Sequence, residues 1–185
     1  MKNEYLKHVE ERKSEGLPPL ALNAKQTKAV IDHLIDGDDD SFYLDLLTHR
    51  VPPGVDEAAY VKASFLNSVA TGKQKCSAID KKQATFLLGT MLGGYNIEPL
   101  IGLLDNEDTA EIACDALSNT LLIYDAYQSV LDKSSTNEYA KKVVDNWSNA
   151  TWFTSKKPLP KEIKLTVFSV SLEEIEGIII SLSIW

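Results

Sequence analysis

Arginine is almost missing from this chain: of 185 residues only Arg12 and Arg50 carry a guanidinium, and the net charge is −8. Without clustered cations there is no surface for phosphate backbones or anionic membranes, so nucleic acid is not an expected partner. Cysteine is nearly as scarce. Cys76 and Cys114 stand alone, with no CxxC or Cys/His spacing, which excludes a zinc site or a cysteine-ligated iron–sulfur cluster built from this chain. Two buried or half-buried thiols are the expectation. No apolar run is long enough to span a bilayer. Met1–His8 also lacks the apolar stretch of a signal peptide, so the expected location is the cytoplasm, with no membrane partner. The few prolines and glycines are concentrated at Pro18-Pro19, Pro52-Pro53-Gly54, Gly93-Gly94 and Pro158-Leu159-Pro160.

Between these breaks the dominant signal is helical, and at this length one domain burying roughly 70% of its unfolded surface is expected. The run from Thr48 to Ala63 holds a helix end, a stiff turn and a helix start. Leu44, Leu46 and Leu47 end one apolar segment, Pro52-Pro53 stops it, and Gly54 bends the chain. Asp56 and Glu57 then place negative charge at the next helix start. About 40 residues on, Phe86-Leu87 leads through Gly93-Gly94-Tyr95 to Asn96 in the same order, within the range of helical-pair repeats. Turn chemistry alone could also produce two such corners.

Other helices follow from caps and periodicity. Glu4–Glu15 forms a short amphipathic helix stopped by Gly16. Asn23 with Gln26 makes a capping box ahead of Val30, Ile31, Leu34 and Ile35, and Asp80 with Gln83 does so ahead of Ala84, Leu87, Leu88 and Met91. Gly37-Asp38-Asp39-Asp40 is too short for an EF-hand and is expected to be an acidic turn. Gly93-Gly94 has neither P-loop nor dinucleotide-binding spacing and is expected to turn one helix into another. Ile112 to Tyr124 keeps an i, i+4, i+8 rhythm that predicts one long inner helix. Asn137 starts another, with Tyr139, Val143 and Trp147 as a core stripe, followed by Trp152-Phe153. After the prolines, Ile163–Val170 alternates with period two, which predicts a strand. Ser171–Glu174 could cap a helix, whereas Ile178–Ile180 and Ile184-Trp185 favour a second strand and a hairpin. The expected fold is all-α over residues 1–157, with a linker and β-strand or hairpin tail over 158–185. No nucleophile–base pair can be placed, so no catalytic residue is assigned.

Five stretches, RVPPGVDEAAYVKA (Arg50–Ala63), LLGTMLGGYNIEPLI (Leu87–Ile101), ALSNTLL (Ala116–Leu122), NEYAKKV (Asn137–Val143) and the W-x-x-A-x-WF of Trp147–Phe153, occur in the order found in one family. From Tyr5 to Val170 the chain resembles the N-terminal, HEAT-like domain of bacterial aconitase B, the bifunctional aconitate hydratase 2 and 2-methylisocitrate dehydratase. The resemblance implies a HEAT-like superhelix of antiparallel helix pairs, and a role in protein–protein contact and dimerisation and in shaping the passage of substrate. It also implies that the [4Fe–4S] cluster and the catalytic residues of citrate–isocitrate isomerisation, a lyase reaction of the tricarboxylic acid cycle, belong to later domains. The chain is then expected to stop short of them, with no enzyme activity and no cofactor of its own. Its partners would be protein: a second copy, as a homodimer, or the catalytic domains. An RNA-binding regulatory role, known in this family when the cluster is lost, is the alternative, and the acidic balance opposes it. Ser171–Trp185 departs from the family. Asn119 and Glu98 stand where members of the family often carry other residues, frequently histidine at the first, so a histidine-dependent role of that face is not expected to carry over. The corner loops are the expected partner-facing or channel-lining surface: His49, Arg50, Pro52, Pro53 and Gly54 in the first, Met91, Gly93, Gly94, Tyr95 and Asn96 in the second.

Overall fold

Residues 1–37, 40–120 and 126–154 are described in the computed structural model, and every regular element among them is a helix. In order these are α1 (Lys2–Ser14), α2 (Ala24–Asp36), α3 (Asp40–His49), α4 (Glu57–Ala70) and α5 (Lys81–Gly89). They continue as α6 (Ile97–Leu103), α7 (Ala110–Ser118), α8 (Tyr127–Lys133), α9 (Glu138–Ser148) and the single turn α10 (Thr151–Thr154). The expected strand at 163–170, the hairpin and the proline linker lie outside the described residues, as does the acidic turn at 38–39.

Consecutive helices pair, α2 with α3, α4 with α5, α6 with α7 and α8 with α9. The pairs are joined in turn by α2 against α4, α5 against α7 and α7 against α9. One core runs through all of them, with Leu34, Leu47, Leu66, Leu88, Leu100, Leu117, Val130 and Val143 almost wholly removed from solvent. Stacked pairs bury an apolar face that no single pair could cover. The exception is α1, which buries no residue. It is held by His8, whose Nε2 accepts from the Leu20 N–H at 3.1 Å, and by Tyr5 edge-on to Phe42.

The side-chain caps form at the expected residues, but the reciprocal box is seen at Asn23 and not at Asp80. Asn23 accepts from the Gln26 N–H at 2.9 Å while Gln26 accepts from the Asn23 N–H at 3.0 Å, closing the box. Asp80 and Asn137 each accept from the N–H three residues on. Asn23→Ala is therefore expected to cost about 1 kcal/mol and to lower the melting temperature by about 3 °C in a thermal unfolding scan.

Two expectations fail. The long helix over 112–124 does not form: α7 ends at Ser118, and 121–125 lie outside the described residues. Side chains take over the carbonyls and backbone at that end. The Asn119 amide and Thr120 hydroxyl donate back to Asp115 and Ala116 at 2.8 and 2.9 Å, while the Trp147 indole donates to the Leu117 carbonyl at 2.8 Å. The stripe on α9 is also only partly core. Trp147 packs against the core, but Tyr139 is exposed, and the side chains of Trp152 and Phe153 are outside what is described. The thiols behave as expected, Cys114 buried and Cys76 half-buried. Burial raises the Cys114 pKa, so its thiol stays protonated.

Candidate functional site

The two corner loops, 40 residues apart in sequence, touch. The Leu92 N–H donates to the Pro53 carbonyl at 2.9 Å, and the Tyr95 hydroxyl donates to the Val55 carbonyl at 2.9 Å. Between these bonds Gly93 lies so close to Gly54 that a Cβ on it would stand 1.9 Å from the Gly54 oxygen and 2.2 Å from its carbonyl carbon. Only glycine permits such an approach. Gly94 follows at φ 94°, a left-handed conformation that completes the turn into α6.

The candidates divide. Pro53, Gly94 and Tyr95 are exposed on the joined corner, with Pro52, Gly54 and Gly93 half-buried beside them. Met91 and Asn96 are buried, so they support the corner rather than face a partner. The likeness between Asp56 and Asn96 also breaks down. Asp56 caps α4 by accepting from the Ala59 N–H at 3.0 Å, but the Asn96 backbone is already helical and its side chain caps nothing. Its Nδ2 instead donates to the carbonyls of Leu88 and Met91 at 2.8 and 3.1 Å, while its Oδ1 is buried with no partner among the described residues.

His49 and Arg50 turn elsewhere. His49 is exposed and lies 3.9 Å from Asp45 on its own helix. Arg50 clamps the segment before α2, donating to the carbonyls of Pro19 and Leu20, while the Leu22 N–H donates to the Arg50 carbonyl at 2.8 Å. Behind this corner Lys62 of α4 is 3% exposed, and its Nζ donates at 3.4 Å to the Thr48 carbonyl in the last turn of α3. That carbonyl end favours a cation, but desolvation dominates and lowers the Lys62 pKa to about 8.

Residues outside the expected set complete the surface. Tyr60 of α4 meets Tyr95 edge-on, ring centroids 5.4 Å apart, and Val55 (73% exposed) carries the carbonyl that Tyr95 binds. Leu92, 83% exposed, and Phe86 share the wall of an open groove of about 660 Å³ beside the corner. Met91, Ile97, Ile112, Ala116 and Asp115 also line it, with the polar side chains of Thr90, Asn96, Asn119 and Thr120. A signal for Tyr60 and Phe86 was available. Each is a large aromatic off the buried stripe of its helix, which runs through Ala59, Lys62, Ala63 and Leu66 in α4 and through Ala84, Leu87 and Leu88 in α5.

Val55, Tyr60, Phe86, Leu92 and Tyr95 are all exposed, with Tyr60 against Tyr95, the Tyr95 hydroxyl on the Val55 carbonyl, and Phe86 and Leu92 lining the same groove. Among the described residues no group of three or more His, Cys, Asp or Glu could hold a metal ion, and no helix is long and apolar enough to cross a membrane.

Comparison with known proteins gives a consistent result. The family described as aconitate B N-terminal domain matches residues 4–153. Aconitate hydratase B of Escherichia coli (strain K12) is 48% identical over 176 residues, 94% of this chain and 20% of that protein. Aconitate hydratase B of Helicobacter pylori (strain J99) is 49% identical over 173 residues, 92% of this chain and 20% of that protein. The Synechocystis protein of the same name is 48% identical over 171 residues, 90% and 20%. The chain thus spans about a fifth of the length of these relatives.

Proposed function

The chain belongs to the aconitate B N-terminal domain family, and on that premise we propose that it is a non-catalytic protein-contact module of an aconitate hydratase B, which binds a second copy of itself or the catalytic part of such an enzyme. The joined corner carries this reading. A structure that spends glycine on bringing two loops into contact, and then displays Val55, Tyr60, Leu92 and Tyr95 on them, has built a firm apolar surface facing outward. Rigid aromatic anchors of this kind supply most of the energy in protein interfaces. Stacking of sequential helix pairs supports the HEAT-like description, since repeats of this type commonly bind through loops on one rim.

The groove bears on the second role that the resemblance implies, shaping a passage for substrate. Its charged lining residue among those described is Asp115, and the substrates of an aconitase are polyanions. A carboxylate with no cation beside it among the described lining residues repels them. Contact with protein is the reading that fits this wall better.

The test is light scattering on the purified chain, alone and mixed with the catalytic part of an aconitate hydratase B. A mass above the monomer, or a complex with the added part, is expected, and Val55→Glu combined with Leu92→Glu should reduce either association by at least tenfold. A monomer that forms no complex overturns the reading, as would aconitate hydration by the isolated chain.

A further inference from the structure

The groove between α5 and α7 adjoins the corner surface but differs from it in shape and charge. Phe86 of α5, Met91, Leu92 and Ile97 of the turn and α6, and Ile112, Asp115 and Ala116 of α7 line it, together with polar side chains such as Thr90 and Asn119. Gly89 at the end of α5 is so close to α7 that a Cβ on it would meet the Ala116 Cβ at 2.8 Å, which keeps the two helices close beneath the groove. Ile112 and Ala116 are only half-covered and Phe86 is 61% exposed, so apolar area remains open.

We propose that this groove docks an amphipathic helical segment of a protein partner, with apolar side chains at i, i+3 or i+4, and i+7 against Phe86, Leu92, Ile97 and Ile112, and a lysine or arginine against Asp115. Three observations select this occupant. The walls are helix faces and a helix-to-helix turn, and every regular element among the described residues is a helix, so an extended peptide finds no strand edge there to pair with. Phe86, Leu92, Ile97 and Ile112 in the lining offer contacts to apolar anchors, which an amphipathic helix presents along one face. Among the described residues no lysine, arginine or histidine accompanies Asp115 in the lining, and Glu111 is exposed one turn before it, so a cation from the partner complements this side. This deepens the contact-module reading and rests on it, but it concerns a surface that the corner does not share except at Phe86 and Leu92.

The experiment is selection from a random-peptide display library on the full chain, followed by affinity measurement of the enriched peptides. Enriched sequences are expected to carry apolar residues at helical spacing beside a lysine or arginine. Asp115→Lys should weaken them about tenfold, and renewed selection on that variant should favour Asp or Glu at the same position. Asp115 is exposed, and an unchanged far-ultraviolet spectrum of the variant verifies its fold. Val55→Glu, which lies on the corner, should alter association of the chain while leaving peptide binding intact, so failure of the corner reading and failure of the groove reading are separable. Enrichment of extended, acidic or uncharged peptides overturns the proposal. So does the absence of any enrichment, or an affinity that Asp115→Lys does not move.

Discussion

Replacing Gly93 with alanine is expected to lower the stability of the domain by about 3 kcal/mol and its melting temperature by about 10 °C. The reason is backbone against backbone. The added Cβ would stand 1.9 Å from the Gly54 oxygen and 2.9 Å from the Val55 nitrogen, and neither neighbour is the end of a flexible side chain that could swing away. One corner has to retreat by more than an ångström. That movement also breaks the bonds from the Leu92 N–H to Pro53 and from the Tyr95 hydroxyl to Val55. Gly94→Ala provides a useful comparison, because a Cβ there meets nothing within 4 Å and the strain comes only from φ 94°. Its cost should be nearer 1 kcal/mol. If calorimetry found the two variants equally stable, the close contact of the corners would be wrong. Because the corner displays the proposed contact surface, Gly93→Ala should also weaken association under conditions where the domain remains folded.

Lys62→Met is expected to act in the opposite direction and to stabilise the chain by about 2 kcal/mol near neutral pH. An ammonium group 3% exposed has lost its water and gained one long bond to the Thr48 carbonyl, so the charged form is penalised and the pKa falls to about 8. In the unfolded chain the same lysine titrates near 10.5. Below about pH 8 both states hold the proton, and the folded state carries the full penalty. Between about pH 8 and 10.5 the unfolded state binds more protons than the folded one, so this group makes stability rise with pH. Above that window both are neutral and the rise ends. At 1.36 kcal/mol for each pH unit the whole rise is about 3 kcal/mol, and methionine removes it by filling the same volume without charge. The bond to Thr48 is lost in exchange, which brings the gain at neutral pH down to about 2 kcal/mol. Urea unfolding of both proteins from pH 7 to 10.5 measures this directly. A wild-type stability contribution that is flat across the window, or a destabilised Lys62→Met at pH 7, would contradict it.

Local features were legible in the sequence because they depend on few residues. Asn23 and Gln26, Asp56, Asp80 and Asn137 cap as their spacing demands, since a cap involves one side chain and a backbone group three residues on. Ala84, Leu87, Leu88 and Met91 face inward as their period predicts. Where several segments compete for the same groups, the pattern misled. The rhythm of 112–124 reads as continuous helix, but α7 closes where Trp147 of α9 reaches the Leu117 carbonyl, 30 residues away. Asn96 looks like a cap and instead lies inside, holding the end of α5 through two carbonyls.

What the sequence by itself determined is the helical composition, most of the turns, among them the two proline- or glycine-rich corners, and the family. Those follow from propensity, capping and periodicity, which act over a few residues. Only the tertiary structure decided that the corners meet, that Gly93 is required by Gly54, that Lys62 is buried behind Thr48, and that Tyr60, Phe86 and Leu92 are left facing outward beside an open groove with Asp115 in its lining. Each of these depends on how one helix pair lies against the next, and a packing relation between segments 40 residues apart has no signature within either segment alone.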